Sequence, residues 1–245
     1  MSAPPNPARA AYRRVLLKIS GESFASEGTF GIHPQELAGI ATEIAAAVAT
    51  GVELAVVVGG GNIIRGSRLA ASGKFDQSAA DYMGMLGTVI NGLALKEALK
   101  AVGVESRVMS AIVVPAVAES FIRARALRHF EKGRVVILVA GTGNPYFTTD
   151  TCASLRAVEL GCEVLLKATK VDGVYSADPK KDPKATRYST LTFARALEQK
   201  LGVMDLTAMT MCMEHSLPVV VFDFKNPGNI RRAVSREPVG TTVTA

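Results

Sequence analysis

V-V-I-L-V-A-G-T-G-N-P-Y-F-T-T-D, residues Val135 to Asp150, is an apolar run that breaks into a glycine loop and then offers a helix start. Five consecutive branched apolar residues, Val135 to Val139, read as a strand buried on both faces. Gly141 and Gly143 let backbone amides come close to an anion, and Thr142, Thr148 and Thr149 add hydroxyl donors. Asp150 is placed to cap a helix over Thr151 to Leu160. The stretch therefore predicts a β-loop-α unit whose loop takes a phosphorylated small ligand.

The same grammar recurs along the chain. Strands are expected at Arg14 to Ile19, Glu53 to Val58, Arg107 to Met109, Glu163 to Ala168 and Val219 to Phe224. Pro34 opens a helix in which Leu37, Ile40, Ile44 and Val48 repeat at helical spacing before Gly51. Asp81 introduces a longer helix through Leu86, Val89, Ile90, Leu93 and Leu99, and a helix over Ile122 to Lys132 stops at Gly133. Strands alternating with helices require crossover connections, which predicts a three-layer α/β/α sandwich around a mostly parallel sheet. One domain over residues 12–245 is expected, preceded by a disordered Pro-rich tail over 1–11. In such a sheet ligands sit at the C-terminal ends of the strands. The glycine-bearing loops after Ile19, Val58 and Val139 would share that edge.

Composition narrows the chemistry. Cys152, Cys162 and Cys212 are far apart, and neither they nor His33, His129 and His215 show metal-ligand spacing, which fits a reducing, cytoplasmic setting. No apolar run approaches the roughly 20 residues of a membrane helix. The formal net charge of +6 favours anionic partners. The basic residues are scattered without interleaved aromatic residues, so no nucleic-acid module is read here.

Neither G-x-x-x-x-G-K-[ST] nor G-x-G-x-x-G after a strand occurs. Phosphate handling must then be distributed: Lys18, Ser20 and Gly21 at one strand end, Gly59 to Gly61 with Arg65 at another, Thr142 to Thr149 at a third. Phosphoryl transfer needs alignment and neutralisation of spread negative charge more than covalent help. A phosphate-monoester acceptor has its second pKa near about 6, so it needs no base, and repulsion between anions is the obstacle. Lys18, Arg65 and a magnesium ion would answer it, Lys167 would add a cation, and a carboxylate such as Asp205 would hold a lysine in place.

The segments Lys18 to Glu22 (K-I-S-G-E), Val57 to Gly66 (V-V-G-G-G-N-I-I-R-G), Asp81 to Gly92, Ala140 to Asp150, Lys167 to Pro179 and Val203 to Leu206 together resemble the bacterial uridylate kinases of the amino-acid kinase family, over nearly all of Arg13 to Thr244. The resemblance implies an ATP:UMP phosphotransferase that makes UDP in pyrimidine nucleotide synthesis, with magnesium. It implies catalytic roles for Lys18, Arg65, Asp205, Lys167 and Asp150. ATP would be bound by Lys18, Ile19, Ser20, Gly21, Gly61, Arg65, Thr169, Tyr175 and Asp178. UMP would be bound by Gly60, Asp81, Thr142, Gly143, Asn144, Pro145, Tyr146, Phe147, Thr148 and Thr149. It further implies a homohexamer, GTP as activator and UTP as inhibitor, with Ser26, Glu27, Gly28, Thr29, Phe30 and Gly31 as the effector region; no protein ligand for the metal is assigned. Two other readings stay open: a related carboxylate or carbamate kinase, and a non-catalytic storage or regulatory relative. Asp81, Asp178, Tyr175 and Asp205 each have a plain structural alternative as helix cap, turn former or core residue.

Overall fold

The computed structural model describes residues 12–245 apart from 27, 65–68, 70, 72, 178, 180 and 183. The expected tail over 1–11 and the candidate residues Glu27, Arg65 and Asp178 therefore lie outside the described residues.

The strands β1 (Arg14–Ile19), β2 (Glu53–Val58), β3 (Ser106–Ser110), β4 (Glu119–Ser120), β5 (Val135–Val139), β6 (Val164–Thr169), β7 (Thr190–Thr192), β8 (Val219–Asp223) and β9 (Gly240–Thr244) form one sheet in the order β4-β3-β5-β2-β1-β6-β8-β9-β7. Every pairing is parallel except β8 with β9. The expected mostly parallel sheet is thus present. The central strands are apolar at nearly every position because helices cover both of their faces.

Alternation along each strand divides the core in two. Val15, Leu17 and Ile19 of β1, with Leu54, Val56 and Val58 of β2, pack against helices α1 (Pro34–Val48), α2 (Gln77–Ala101) and α7 (Asn229–Val234). Leu16, Ala55, Val57, Val136 and Leu138 face the opposite layer, built from α3 (Arg123–Glu131), α4 (Thr149–Leu160), α5 (Phe193–Glu198) and α6 (Leu206–Glu214). The cysteines are free and buried, and burial pushes the Cys152 and Cys162 thiols up to about 12. Among the described residues no helix is long and apolar enough to cross a membrane.

Two helix starts differ from expectation. Helix α2 begins at Gln77, before Asp81, because the Asp76 carboxylate accepts the amides of Ser78 and Ala79. Helix α4 begins at Thr149, capped by the Thr148 hydroxyl, which accepts from the amides of Asp150 and Thr151. Both aspartates are thereby released from capping. The short elements β4, β7, α5 and α7 carry too few residues for a periodicity to be read, and β9, Gly240–Thr244, lacks an apolar run.

Helix α2 sits hard against β5 through Gly92. A Cβ there would run into the Val139 side chain, with Ile137 and Val108 methyls next at 3.5 Å. The Gly92→Ala substitution should cost about 1–3 kcal/mol through overpacking, more than the helix propensity it gains. A thermal melt should fall by several degrees, at roughly 2–4 °C per kcal/mol for a chain of this size.

Candidate active site

Parallel pairing aligns the C-terminal ends of β5, β2, β1 and β6, so the loops that follow these strands share one rim. In the register of β1 with β6, Lys18 is the direct neighbour of Lys167. Lys18 follows Leu16 by two positions and Lys167 follows Leu165 by two, so both ammonium stems leave the sheet on the α4 side. Adjacent strands lie about 4.8 Å apart, and two like charges so close on a largely desolvated edge need a counter-charge.

Asp150, in the first turn of α4, supplies it. Its Oδ2 accepts from Lys167 Nζ at 2.7 Å, and its Oδ1 lies 3.0 Å from Lys18 Nζ. The side chains of Lys18, Asp150 and Lys167 are only 11%, 15% and 13% exposed. Burial alone would push the Asp150 carboxyl up, but the Lys18 and Lys167 ammoniums together hold it below the usual carboxylate value. Burial also pulls Lys167 below the ordinary lysine value, with Asp150 opposing that shift and Lys18 adding to it. Lys167 Nζ is fixed further by the Val203 carbonyl at 2.5 Å.

The lysine holder is therefore Asp150, and Asp205 has another task. Its carboxylate accepts from the hydroxyls of Thr148 at 2.5 Å and Thr151 at 3.0 Å, and it caps α6 through the Ala208 amide. Asp205 thus clamps the start of α6 to the start of α4. Thr151, read from sequence only as a helix residue, is the second hydroxyl of that clamp.

Two cavities flank the lysines. One, of about 150 Å³, is lined by Gly60, Gly61, Asp81, Thr142, Asn144, Phe147, Thr148 and Thr149 among others. Asp81 takes part from within α2: its Oδ2 accepts the Tyr146 amide at 2.8 Å, and its Oδ1 accepts from Gln77 at 2.9 Å. Gly143 and Pro145 shape the loop rather than line the cavity. Gly143 has φ +82°, and a Cβ there would press on the Ala111 carbonyl at 3.0 Å. Ala140 and Tyr146 of this loop also hold positive φ without being glycine.

The other cavity, of about 320 Å³, lies beside β6 and is lined by Lys167, Thr169, Val171, Gly173, Tyr175, Pro179 and Val203 among others. The Thr169 hydroxyl is turned to the Val171 carbonyl at 2.7 Å, and the Tyr175 hydroxyl donates to Asp172 at 2.8 Å. Between the cavities, Ser20 and Gly21 meet the Gly59–Gly61 turn so closely that a Cβ on Gly21 would lie 2.5 Å from the Gly61 amide. The Ile19 side chain belongs to the core, and its carbonyl is used by the Gly59 amide at 2.9 Å, so it is not placed to hold a nucleotide. Ser26 and Thr29 meet His33 in a turn that is tied to the glycine loop by Gly31, whose amide donates to the Asn62 carbonyl at 2.8 Å.

Among the described residues no cluster of three or more His, Cys, Asp or Glu side chains is placed to hold a metal ion. Of the described carboxylates at the rim, Asp150 is committed to lysines, Asp205 to hydroxyls and Asp81 to the Tyr146 amide and Gln77. That donor set fits a magnesium ion brought in on nucleotide phosphates, a cation that retains several waters and needs few protein ligands.

Residues 13–223 match the model of the amino acid kinase family. The chain belongs to this family. Among solved structures it is similar to the UMP kinase of Bacillus anthracis, with 40% identity over 95% of this chain and 96% of that one and a TM-score of 0.92. It is similar to the UMP kinase of Ureaplasma parvum at 38% identity over 95% and 99% of the two chains, TM-score 0.90. The uridylate kinase of Archaeoglobus fulgidus matches at 30% identity over 94% and 99%, TM-score 0.72. A kinase of this family is a phosphotransferase, and the flanked lysine pair is what such chemistry asks for.

The charge arrangement predicts its own pH dependence. Because the folded-state value of Asp150 is depressed, its contribution to stability is complete above the unfolded value of about 3.9 and is lost as pH falls through the folded value. Asp150→Asn leaves two buried lysines facing each other and should cost about 3–5 kcal/mol at neutral pH. Urea midpoints at pH 7 and pH 3 should show wild type and variant well separated at the first and closer together at the second.

Proposed function

We propose that this protein transfers the γ-phosphoryl group of ATP to UMP, giving ADP and UDP for pyrimidine nucleotide synthesis. The observation that carries the reading is the Lys18–Asp150–Lys167 bridge between two cavities, one framed by the threonine-rich loop and Asp81, the other by Thr169 and Tyr175. Likeness to two UMP kinases at 38–40% identity over nearly the whole chain supports the choice of acceptor.

UMP occupies the cavity of Gly60, Asp81 and Thr142 to Thr149, and ATP places its adenosine beside Thr169 and Tyr175 with its phosphates over Ser20, Gly21 and Gly61. A UMP phosphate oxygen attacks the γ-phosphorus, the bond from that phosphorus to the β,γ-bridging oxygen breaks, and ADP departs. The attacking oxygen is already deprotonated at neutral pH, so no side chain has to serve as base. Lys18 and Lys167, held in place by Asp150, neutralise the equatorial and bridging oxygens as charge shifts, with Arg65 joining them. Asp205 keeps the start of α4, and with it Asp150, in register with the acceptor loop. Magnesium, carried on the ATP phosphates, supplies further neutralisation of the transferring group. The reading extends to a cytoplasmic homohexamer activated by GTP and inhibited by UTP, with residues 26–31 as the effector region.

ADP release should be measured with ATP and magnesium against UMP, CMP, AMP, GMP, carbamate, acetate and N-acetylglutamate. Turnover is expected with UMP far above every other acceptor; a carboxylate or carbamate preferred over UMP, or no turnover at all, would sink the assignment. Lys18→Ala should lower kcat by about 10²–10³-fold, the effect of removing one preorganised electrostatic group, while UMP binding by calorimetry survives. Asp150 keeps Lys167 as a partner in that variant, so the fold is expected to persist.

A further inference from the structure

Helix α2 touches each loop of the acceptor side. Asp81 receives the Tyr146 amide, the Thr88 hydroxyl accepts the Ala140 amide at 2.6 Å, and the backbone at Gly60 approaches Gly84 so closely that a Cβ would lie 2.6 Å from its carbonyl. One turn beyond Thr88, Asn91 is fully buried at 0% exposure, and it meets Asn62 of the glycine turn, buried at 1%. The two side-chain amides pair reciprocally: Asn62 Nδ2 donates to Asn91 Oδ1 at 3.0 Å, and Asn91 Nδ2 donates to Asn62 Oδ1 at 2.6 Å. The second proton of each is used as well, by the Gly31 carbonyl for Asn62 and by the Gly59 carbonyl for Asn91, each at 2.7 Å. Turning either amide over would set oxygen against carbonyl oxygen, so the orientation is unique.

Two apolar side chains of similar volume would fill this space without four hydrogen bonds to satisfy, so burial alone does not account for the pair. Holding the Gly59 carbonyl does. That carbonyl and the Gly60 N–H belong to one trans peptide plane and point in opposite directions. Drawing the carbonyl onto Asn91 therefore turns the Gly60 N–H away from Asn91, and Gly60 itself lines the cavity.

We propose that Asn91, paired with Asn62, is a positioning residue for phosphoryl transfer that aims the Gly60 amide at the acceptor phosphate. The inference rests on the UMP kinase reading above. Its signature is unequal, because Asn91 holds the carbonyl directly behind Gly60, whereas the described residues on the adenosine side beside Thr169 and Tyr175 have no contact with it.

The test is steady-state kinetics of the full chain, with the folded fraction measured by circular dichroism. In the double variant Asn62→Leu/Asn91→Leu, kcat/KM for UMP should fall thirtyfold or more per folded molecule, at least tenfold more than any rise in KM for ATP. If that variant does not fold, Asn91→Ser, whose shorter side chain leaves the Gly59 carbonyl untied, is read in the same way. Unchanged kcat/KM for UMP in a folded variant overturns the proposal, as do equal rises in both KM values or a loss that merely tracks the unfolded fraction. A wild-type protein that does not turn over UMP removes the underlying reading and this proposal with it, whereas an active wild type with an indifferent variant removes the proposal alone.

Discussion

Two ammonium groups placed side by side by strand register, on an edge that two helical layers have nearly dried, are tolerable only with a carboxylate lodged between them. That electrostatic demand fixes where α4 must start, because Asp150 can reach both Lys18 and Lys167 only from the first turn of a helix that begins over the ends of β1 and β6. Thr148 takes over the cap so that Asp150 is spared for the lysines. Asp205 then locks that cap to α6 through the Thr148 and Thr151 hydroxyls. Positive charge concentrated at a strand end, with anions able to approach from two sides, is the functional residue of this packing problem.

The opposite helical layer sets distances rather than charge. Through Gly92 the long helix α2 lies directly on β5, and through Asp81, Thr88 and Asn91 it holds the loops that frame the cavity of Gly60 and Thr142. A rigid helix serves this purpose better than a loop, since its residues keep fixed spacing while the glycine turns it holds have no side chains of their own to anchor them. Glycine permits the close approach at Gly21, Gly59 and Gly60, and the amides of Asn62 and Asn91 remove the freedom that glycine introduces.

Much of the architecture was legible because buried parallel strands announce themselves as unbroken apolar runs, as at Val135 to Val139 and Glu53 to Val58. The edge strands β4 and β7 were not, since two or three residues define no period and edge pairing is settled by neighbours. At the rim, Lys18 and the glycines and threonines of the 141–149 loop were readable from residue type and place, whereas the pattern gave Asp81 only a helix start, which the structure moves to Gln77. The roles of Asp150 and Asp205 were not readable: both stand at helix starts, where capping is the local expectation, yet Asp150 gives up the cap for two distant lysines and Asp205 adds two distant hydroxyls to its own cap. Asn62 and Asn91 left a faint signal, two amides in otherwise apolar surroundings, without saying that each was the other's partner.

The sequence by itself determined the alternation of strands and helices, the edge on which ligands gather and the residue types available there, because these follow from periodicity and from glycine's place after each apolar run. Only the tertiary structure decided which carboxylate pairs with which lysine and which carbonyl each buried amide holds. Those are contacts between segments far apart in the chain, fixed by strand register and by the seating of α2 and α4 on the sheet, and no local pattern encodes a distance across it.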